Sequence, residues 1–356
     1  MGLRNGGFGA IGLACVMIAL GSLGGCATQT KSDKPVDLVW PAPPEQPRIR
    51  YVAEYRGETD FRRDAFKDAL LGEERGGISL IKPYGVTTTP DGETIYVTDT
   101  RLPGVMVFDL KNKSASPMKM DARGSLRSPV DIRRDSAGRI FVSDSDRAEV
   151  VIYSPTGDTL MAIGKKEELG GATGLALDEK GNRLYVADTK KHRVAVYDLE
   201  GKFLSFIGER GSEPGQLNFP VNLAIDRAGN LLVTDSGNFR VQIFDRDGKF
   251  VRTFGQIGDS YGSFTRPKGV GVDSEGNVYV VDAAFNNFQI FNQEGRVLLF
   301  VGSAGSDPGM FWLPAGIHID SNDKVYVVDS INARVQVFQY LKSPDGQTEK
   351  GGQAGS

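Results

Sequence analysis

The sequence has few of the side chains that bind soft metals, since it contains only two cysteines and two histidines among 356 residues. Zinc sites, disulfide frameworks and haem-attachment motifs need more of these ligands than this chain can bring to one point. There is also no excess of positive charge: 42 basic and 45 acidic residues give a net charge of -3, which argues against a nucleic-acid partner. Neither a P-loop nor a nucleophile elbow is present.

Glycine is abundant instead, with 45 residues and no Gly-X-Y period. A fraction of about 13% against a usual ~7% indicates many tight turns and therefore many short strands.

The N-terminus is typical of an export signal. Arg4 precedes the apolar run 8–23, and Leu23-Gly24-Gly25-Cys26 resembles the bacterial lipobox. That resemblance predicts a lipoprotein signal peptide over residues 1–25, lipidation of Cys26 and, because Ala27 follows, sorting to the outer membrane. Whether the protein then occupies the periplasmic or the surface side is left open. The alternatives are a plain secretory signal or a retained anchor, for which the apolar run is short.

Two further N-terminal segments follow. Residues 26–47 are rich in proline and predict an extended tether, although Trp40 can instead dock on the main domain. Residues 60–71 have one apolar face at helical spacing and predict a short helix, with Asp60 capping its start. Packing of this helix on the main domain is favoured over membrane-surface binding.

The remainder is an internal repeat. An aspartate directly follows each of six strand-like triplets, and successive aspartates are 45, 44, 47, 47 and 47 residues apart. An aromatic residue stands nine residues after each aspartate. The aspartates are Asp99, Asp144, Asp188, Asp235, Asp282 and Asp329. The aromatic residues are Phe108, Tyr153, Tyr197, Phe244, Phe291 and Phe338.

Each repeat has about 45 residues and four predicted strands, which is the pattern of a propeller blade. The sequence therefore predicts an all-β, six-bladed β-propeller over residues 48–341. Its blades start near residues 83, 129, 172, 220, 267 and 314. The sixth repeat lacks a fourth strand, and residues 49–55 are predicted to supply it as the outermost strand of the last blade, which removes an open edge. Residues 342–356 are predicted to be a disordered tail.

The pattern Pro-x-Gly-Val-x-Val-Asp, followed by Gly-Asn-Val-Tyr-Val-x-Asp, resembles the NHL repeat. Residues 267–291 and 314–338 carry it most clearly. The whole chain resembles bacterial NHL-repeat six-bladed propeller lipoproteins. The WD repeat is excluded because the sequence contains no Trp-Asp dipeptide.

The strand-end aspartates are predicted to be structural, each capping the turn that follows it through backbone N–H groups. In three repeats an arginine stands five residues after the aspartate, as Arg193, Arg240 and Arg334, and we expect ion pairs between adjacent strands. Gly104, Glu149 and Asn287 replace that arginine in the other repeats.

Enzyme hypotheses find little support. Peptidyl-hydroxyglycine lyases share the repeat and resemble zinc enzymes with three histidine ligands, whereas His192 and His318 lie in opposite blades and His318 is predicted to be an interblade residue. Gluconolactonase-like propellers bind calcium where inner strands begin. The matching positions here carry no carboxylate: Tyr84, Val130, Thr173, Val221, Lys268 and Ala315.

One residue later, Asp131 and Asn222 stand where the repeat usually has glycine. At the channel mouth they could bind a cation or a polar ligand, or they could satisfy a loop. No catalytic residue, metal or cofactor is predicted beyond a weak calcium site.

The function predicted is a lipid-anchored, non-enzymatic scaffold of the cell envelope that binds another protein or a glycan, as an accessory subunit of an envelope assembly. The alternative is a lyase or lactonase-like enzyme with its site in the central channel.

Overall fold

The computed structural model describes residues 37–61, 77–121, 125–164 and 168–342. All of them belong to the compact unit Val36–Ser356. The predicted signal peptide, residues 26–36 of the predicted tether with Cys26, residues 62–71 of the predicted helix and residues 343–356 of the predicted tail lie outside the described residues.

The described residues form six antiparallel sheets. Two strands precede the first complete sheet, and the first three blades follow in chain order: β1 (Val39–Trp40), β2 (Ile49–Tyr55), β3 (Pro83–Thr88), β4 (Thr94–Asp99), β5 (Gly104–Asp109), β6 (Ser114–Pro117), β7 (Pro129–Arg134), β8 (Ile140–Asp144), β9 (Glu149–Tyr153), β10 (Thr159–Ile163), β11 (Ala172–Asp178), β12 (Arg183–Asp188), β13 (Arg193–Tyr197) and β14 (Phe203–Ile207).

The last three blades contain the remaining strands: β15 (Pro220–Ile225), β16 (Leu231–Asp235), β17 (Arg240–Phe244), β18 (Phe250–Phe254), β19 (Pro267–Val272), β20 (Val278–Asp282), β21 (Asn287–Phe291), β22 (Val297–Val301), β23 (Pro314–Ile319), β24 (Lys324–Asp329) and β25 (Arg334–Tyr340).

The first strand of each blade lies innermost. These six strands, β3, β7, β11, β15, β19 and β23, contact one another in cyclic order, and β23 returns to β3. The sheets therefore surround one axis as a six-bladed β-propeller, as the repeat predicts. Side chains of neighbouring blades pack into shared apolar clusters, because a single sheet cannot bury both of its faces.

The ring is closed by an N-terminal strand, as predicted. β2 pairs antiparallel with β25, with Tyr51 opposite Phe338. The prediction that this strand is outermost is wrong, because β1 pairs with its free edge. The ring of Trp40 in β1 meets that of Phe338 edge-on at 5.8 Å. The apolar contact of Trp40 thus brings the end of the predicted tether into the last blade.

The described start of the predicted helix is a 3-10 helix over Glu58–Phe61. The Asp60 carboxylate accepts the backbone N–H groups of Arg56 and Gly57, at 2.5 and 2.8 Å. In the part of the chain with assigned structure, no helix is long and apolar enough to cross a membrane.

A buried ion network holds the closing strand. The Arg334 side chain is 1% exposed and donates to Asp329 Oδ2 at 2.8 Å and to Glu54 Oε2 of β2 at 2.6 Å. It also donates to the carbonyls of Asp307 and Met310. One guanidinium therefore connects β2, β24 and β25 of the last blade to the loop before β23.

We predict that Arg334→Met lowers the free energy of unfolding by about 3–5 kcal/mol, because it leaves two carboxylates without their buried cation. Arg193→Met is the matched control: Arg193 has the same position in blade 3 but is 24% exposed, so we expect a loss of about 1 kcal/mol. Urea unfolding of both variants checks this. Equal losses would contradict a special role of Arg334 in closure.

Candidate functional site

The six strand-end aspartates share one contact. Each is buried at the end of the second strand of its blade and accepts a backbone N–H from the loop that precedes the innermost strand. The donors include Lys82, Arg127, Gly170, Asn218, Thr265 and Trp312. Each carboxylate therefore fixes the entry of the chain into its blade.

The prediction that all six also cap the following turn is wrong for half of them. Asp99, Asp144 and Asp282 do so, each accepting the N–H groups two and three residues later. In the other three blades the aspartate accepts from an arginine side chain instead. Arg193 Nε donates to Asp188 at 3.5 Å, Arg240 Nε to Asp235 at 2.9 Å, and Arg334 Nε to Asp329 at 2.8 Å. The cause is competition for the carboxylate: where arginine is present it takes the oxygen atom that otherwise caps the turn.

In the central channel the structure brings Asp131 and Asn222 together. Asn222 Nδ2 donates to Asp131 Oδ2 at 3.2 Å, although the two residues belong to blades 2 and 4. Asp131 Oδ2 also accepts the N–H of Leu175 in blade 3 at 2.8 Å, and Asn222 Oδ1 accepts the N–H of Val270 in blade 5 at 3.1 Å. This pair therefore links four consecutive blades.

The remaining oxygen atom of Asp131 is occupied as well. Asp131 Oδ1 accepts from the Ile132 N–H at 2.9 Å and from Arg133 Nη1 at 2.7 Å. Burial raises the pKa of this carboxyl group, and the guanidinium of Arg133 opposes the rise. Because each oxygen atom already accepts two protein donors, a cation would have to displace bonds within blade 2 at Oδ1 or between blades at Oδ2. The geometry therefore favours the loop-satisfying interpretation of Asp131 and Asn222.

Sequence reasoning missed Arg133 as a channel residue. Its Nη2 reaches across to the carbonyl of Leu223 in blade 4 at 3.3 Å. The available signal was a pair of arginines in an innermost strand whose counterparts are mostly small or apolar.

The two histidines occupy separate places. His318 Nε2 lies 3.2 Å from Thr88 Oγ1 of the next blade, which is the interblade role predicted for it. Enclosure by protein, together with the guanidinium of Arg133, lowers the pKa of His318 to about 3, so its imidazole is neutral at pH 7. His192 is in a blade 3 turn, where its Nδ1 accepts the Phe219 N–H at 3.1 Å.

Among the residues that the structure places, no group of three or more histidine, cysteine, aspartate or glutamate side chains could hold a metal ion. The expected weak calcium site stays a prediction.

A second candidate site is apolar and exposed. Trp312, Leu313 and Ile331 of blade 6 are 55%, 36% and 49% exposed, and Ile81 of blade 1 is 53% exposed. The Ile331 N–H donates to the Trp312 carbonyl at 3.2 Å, and the preceding Ser330 hydroxyl donates to the carbonyl of Pro83 in blade 1. We call these four side chains the face patch. They lie at the end of the blades where the strand-end aspartates are.

Fold and repeat define a six-bladed β-propeller, and comparison with known proteins supports this class. Residues 127–256 match the family model described as SMP-30/gluconolactonase/LRE-like region, and residues 272–343 match the one described as 6-bladed beta-propeller. Each match spans less than half of the chain. No curated protein matches the sequence.

Several solved structures have the same fold. Virginiamycin B lyase from Staphylococcus aureus has a TM-score of 0.54 and 12% identity, covering 73% of this chain and 95% of its own. An auxiliary nutrient binding protein from Bacteroides ovatus has a TM-score of 0.57 and 14% identity, and the match covers 74% of this chain and 71% of that protein. A protein of unknown function from Bacteroides thetaiotaomicron has a TM-score of 0.57 and 17% identity, and the match covers 73% of this chain and 70% of that protein. At these identities the likeness shows the fold alone.

We predict a pH-dependent contribution of His318 to stability. In the folded protein the pKa of His318 is lowered from 6.5 to about 3. The stability that the neutral imidazole contributes is therefore fully present above pH 6.5. It is lost as the pH falls towards 3, by up to about 1.4 kcal/mol of unfolding free energy per pH unit. The difference in unfolding free energy between the wild type and His318→Gln should therefore shrink between pH 7 and pH 4.

Thr88→Val is the control, since it removes the hydrogen-bond partner but keeps the imidazole. It should lower stability and leave the pH slope unchanged. Parallel curves for the wild type and His318→Gln would contradict the depressed pKa.

Proposed function

We propose that the chain is an NHL-type propeller lipoprotein that acts as a non-enzymatic binding scaffold of the bacterial cell envelope. The face patch carries this proposal. Trp312, Leu313, Ile331 and Ile81 keep about half of their surface in water although the same blades bury other side chains of this size completely. Clustered exposed apolar residues with a tryptophan are typical of sites where a macromolecule binds.

The contacts in the channel also support this proposal, because they argue against a substrate site there. Asp131 Oδ2 and the amide of Asn222 bind other blades, and Asp131 Oδ1 is paired with Arg133 of its own blade. These polar groups hold the ring together and are not available to a substrate without loss of interblade bonds. Similarity of the fold to auxiliary nutrient binding proteins agrees with a binding role.

The second candidate function is a lyase or lactonase-like activity in the channel. One observation favours it: the neutral imidazole of His318 lies in the channel and is a possible proton acceptor. A catalytically inactive variant of virginiamycin B lyase, a protein with the same fold, has a histidine replaced by alanine. The hydrogen bond between His318 and Thr88 counts against this candidate, because it occupies Nε2 of the imidazole.

The partner in this proposal is another envelope protein or a glycan, and the membrane is reached through a lipid on Cys26. The predicted outer-membrane location is part of the proposal, which includes no nucleic-acid partner and no cofactor.

We predict that the double variant Trp312→Ser/Ile331→Ser loses its partner, because it removes the largest apolar contacts of the face patch. The measurement is chemical cross-linking followed by purification from solubilised membranes, with quantification of co-purified protein and of polysaccharide. Recovery of the partner should fall at least tenfold, whereas the melting temperature stays unchanged because both side chains are exposed.

The control is Val251→Ser/Leu298→Ser. These residues are 50% and 55% exposed but lie on outer strands of blades 4 and 5, so recovery should equal that of the wild type. Equal recovery from both double variants would show that the face patch is not the binding surface.

For the anchor, we predict that Cys26→Ser abolishes metabolic labelling by an alkynyl fatty acid and leaves the protein either soluble or uncleaved, because the lipobox thiol is the acylated atom. Cys15→Ser is the control and should label normally, since Cys15 lies in the segment predicted to be removed. Equal labelling of the wild type and Cys26→Ser would rule out this anchor.

A further inference from the structure

One position of the repeat is filled in some blades and left open in blade 1. The residue directly opposite the strand-end aspartate is arginine in three blades, as in the pairs Asp188–Arg193, Asp235–Arg240 and Asp329–Arg334. In blade 1 the same register places Gly104 opposite Asp99. The arginine side chain that fills this space elsewhere is therefore missing.

The structure has a cavity of about 230 Å³ at this place. Asp99, Gly104, Leu102, Met106, Pro117 and Met120 are among the residues that line it. We call it the blade 1 pocket. Its inner wall includes the buried side chains of Asp99 and Met106, and the exposed Pro117 is at its rim.

The arginine of blade 3 shows what would occupy this space. The guanidinium of Arg193 lies 3.4 Å from the ring centre of Phe206, and Phe206 pairs with Ala195. In blade 1 the equivalent pair is Pro117 and Met106, and both residues line the cavity. The blade 1 pocket therefore corresponds to the volume that an arginine side chain takes in blade 3.

The charge at the base of the pocket is held by backbone N–H groups. Asp99 is 1% exposed and accepts four backbone N–H groups, from Ile81, Lys82, Arg101 and Leu102. Among the described residues, no basic side chain forms a salt bridge with it. Each oxygen atom of Asp99 thus accepts two backbone N–H groups, and an arginine in the pocket would take the place of those from Arg101 and Leu102, as arginine does at the equivalent aspartates of blades 3, 4 and 6.

The other blades without this arginine fill the space by other means. In blade 2, Glu149 stands opposite Asp144 and binds Arg147, with a shortest N–O distance of 2.8 Å. In blade 5, Asn287 stands opposite Asp282. Gly104 is the one residue of the six at this position that has no side chain.

We propose that the blade 1 pocket binds the side chain of an arginine presented by a protein partner. The aliphatic part of that side chain would pack on Met106 and Met120, and its guanidinium would face Asp99 and the carbonyl of Leu102. Arginine is favoured over lysine because its guanidinium is more weakly hydrated and because this chain uses arginine for the same purpose in three blades. This inference deepens the proposed function by assigning the partner to proteins.

The first test uses the purified wild-type chain and three small probes: Nα-acetyl-arginine amide, its citrulline equivalent, which is neutral and has nearly the same shape, and its lysine equivalent. Binding is followed by the chemical shifts of labelled methionine methyl groups, since Met106 and Met120 line the pocket. The arginine probe should shift both signals and bind at least tenfold more tightly than the citrulline probe.

The second test fills the pocket from within. Gly104→Arg should abolish binding of the probe and raise the melting temperature, because the new side chain can pair with Asp99 as Arg240 pairs with Asp235. A Cβ atom at position 104 would lie 3.5 Å from Met120 Cε and 3.7 Å from the Leu102 carbonyl oxygen, so there is room for it. Asn287→Arg is the matched control: it adds arginine at the equivalent position of blade 5 and should leave binding unchanged.

Asp99→Asn removes the charge of the pocket, so it should weaken the arginine probe at least tenfold and leave the citrulline probe unaffected. The comparison of the arginine and citrulline probes on the wild type keeps the proposal testable if either variant does not fold. Failure of the arginine probe to bind the wild type, or equal binding of the arginine and citrulline probes, would overturn the inference. Neither result depends on the face patch, so the proposed function stands or falls separately with the Trp312→Ser/Ile331→Ser experiment.

Discussion

The contact on which the blades depend is the one between each strand-end aspartate and the loop that enters the same blade. A buried carboxylate accepts the backbone N–H groups just before the innermost strand, as Asp99 does for Ile81 and Lys82. These N–H groups belong to the connection between blades and have no strand partner, so the carboxylate is the protein acceptor that they use. The aspartate therefore fixes the innermost strand, and through it the position of each blade in the ring.

The contact between the strand-end aspartate and the entering loop is common to all six blades, but the other donors to the same carboxylate differ between blades. Asp188, Asp235 and Asp329 have an arginine, whereas Asp99, Asp144 and Asp282 bind a following turn. The fold tolerates both arrangements because each supplies donors to the same buried carboxylate. The differences between blades are consequently the places to look for specific binding, since the shared contacts are already used by the fold.

The repeat pattern made the architecture predictable from sequence. Six aspartates at nearly constant spacing and the closing segment 49–55 were sufficient for the six-bladed ring. The two-residue strand β1 was missed because a short segment among prolines has no periodicity, and its pairing depends on the contact of Trp40 with Phe338. Arg133 was missed for a related reason: the length of its side chain lets it reach Leu223 ninety residues away, and no local pattern encodes that contact.

The contacts of Asp131 and Asn222 also could not be predicted from a local pattern. The sequence shows that these residues replace glycine in the repeat, but it does not show what they bind. In the structure, glycine occurs at this position where backbones of adjacent blades meet directly. A Cβ on Gly85 would collide with Val130 and Asp131, and one on Gly174 with Val221 and Asn222.

Asp131 and Asn222 instead face the next blade and span the gap with a side chain, binding the N–H groups of Leu175 and Val270. The ring thus combines junctions of backbone against backbone with two junctions bridged by a polar side chain. At the bridged junctions the polar residue accepts an N–H group of the next blade. Its presence in the channel is therefore no evidence of catalysis, and the loops and blade edges are the regions free to evolve binding specificity.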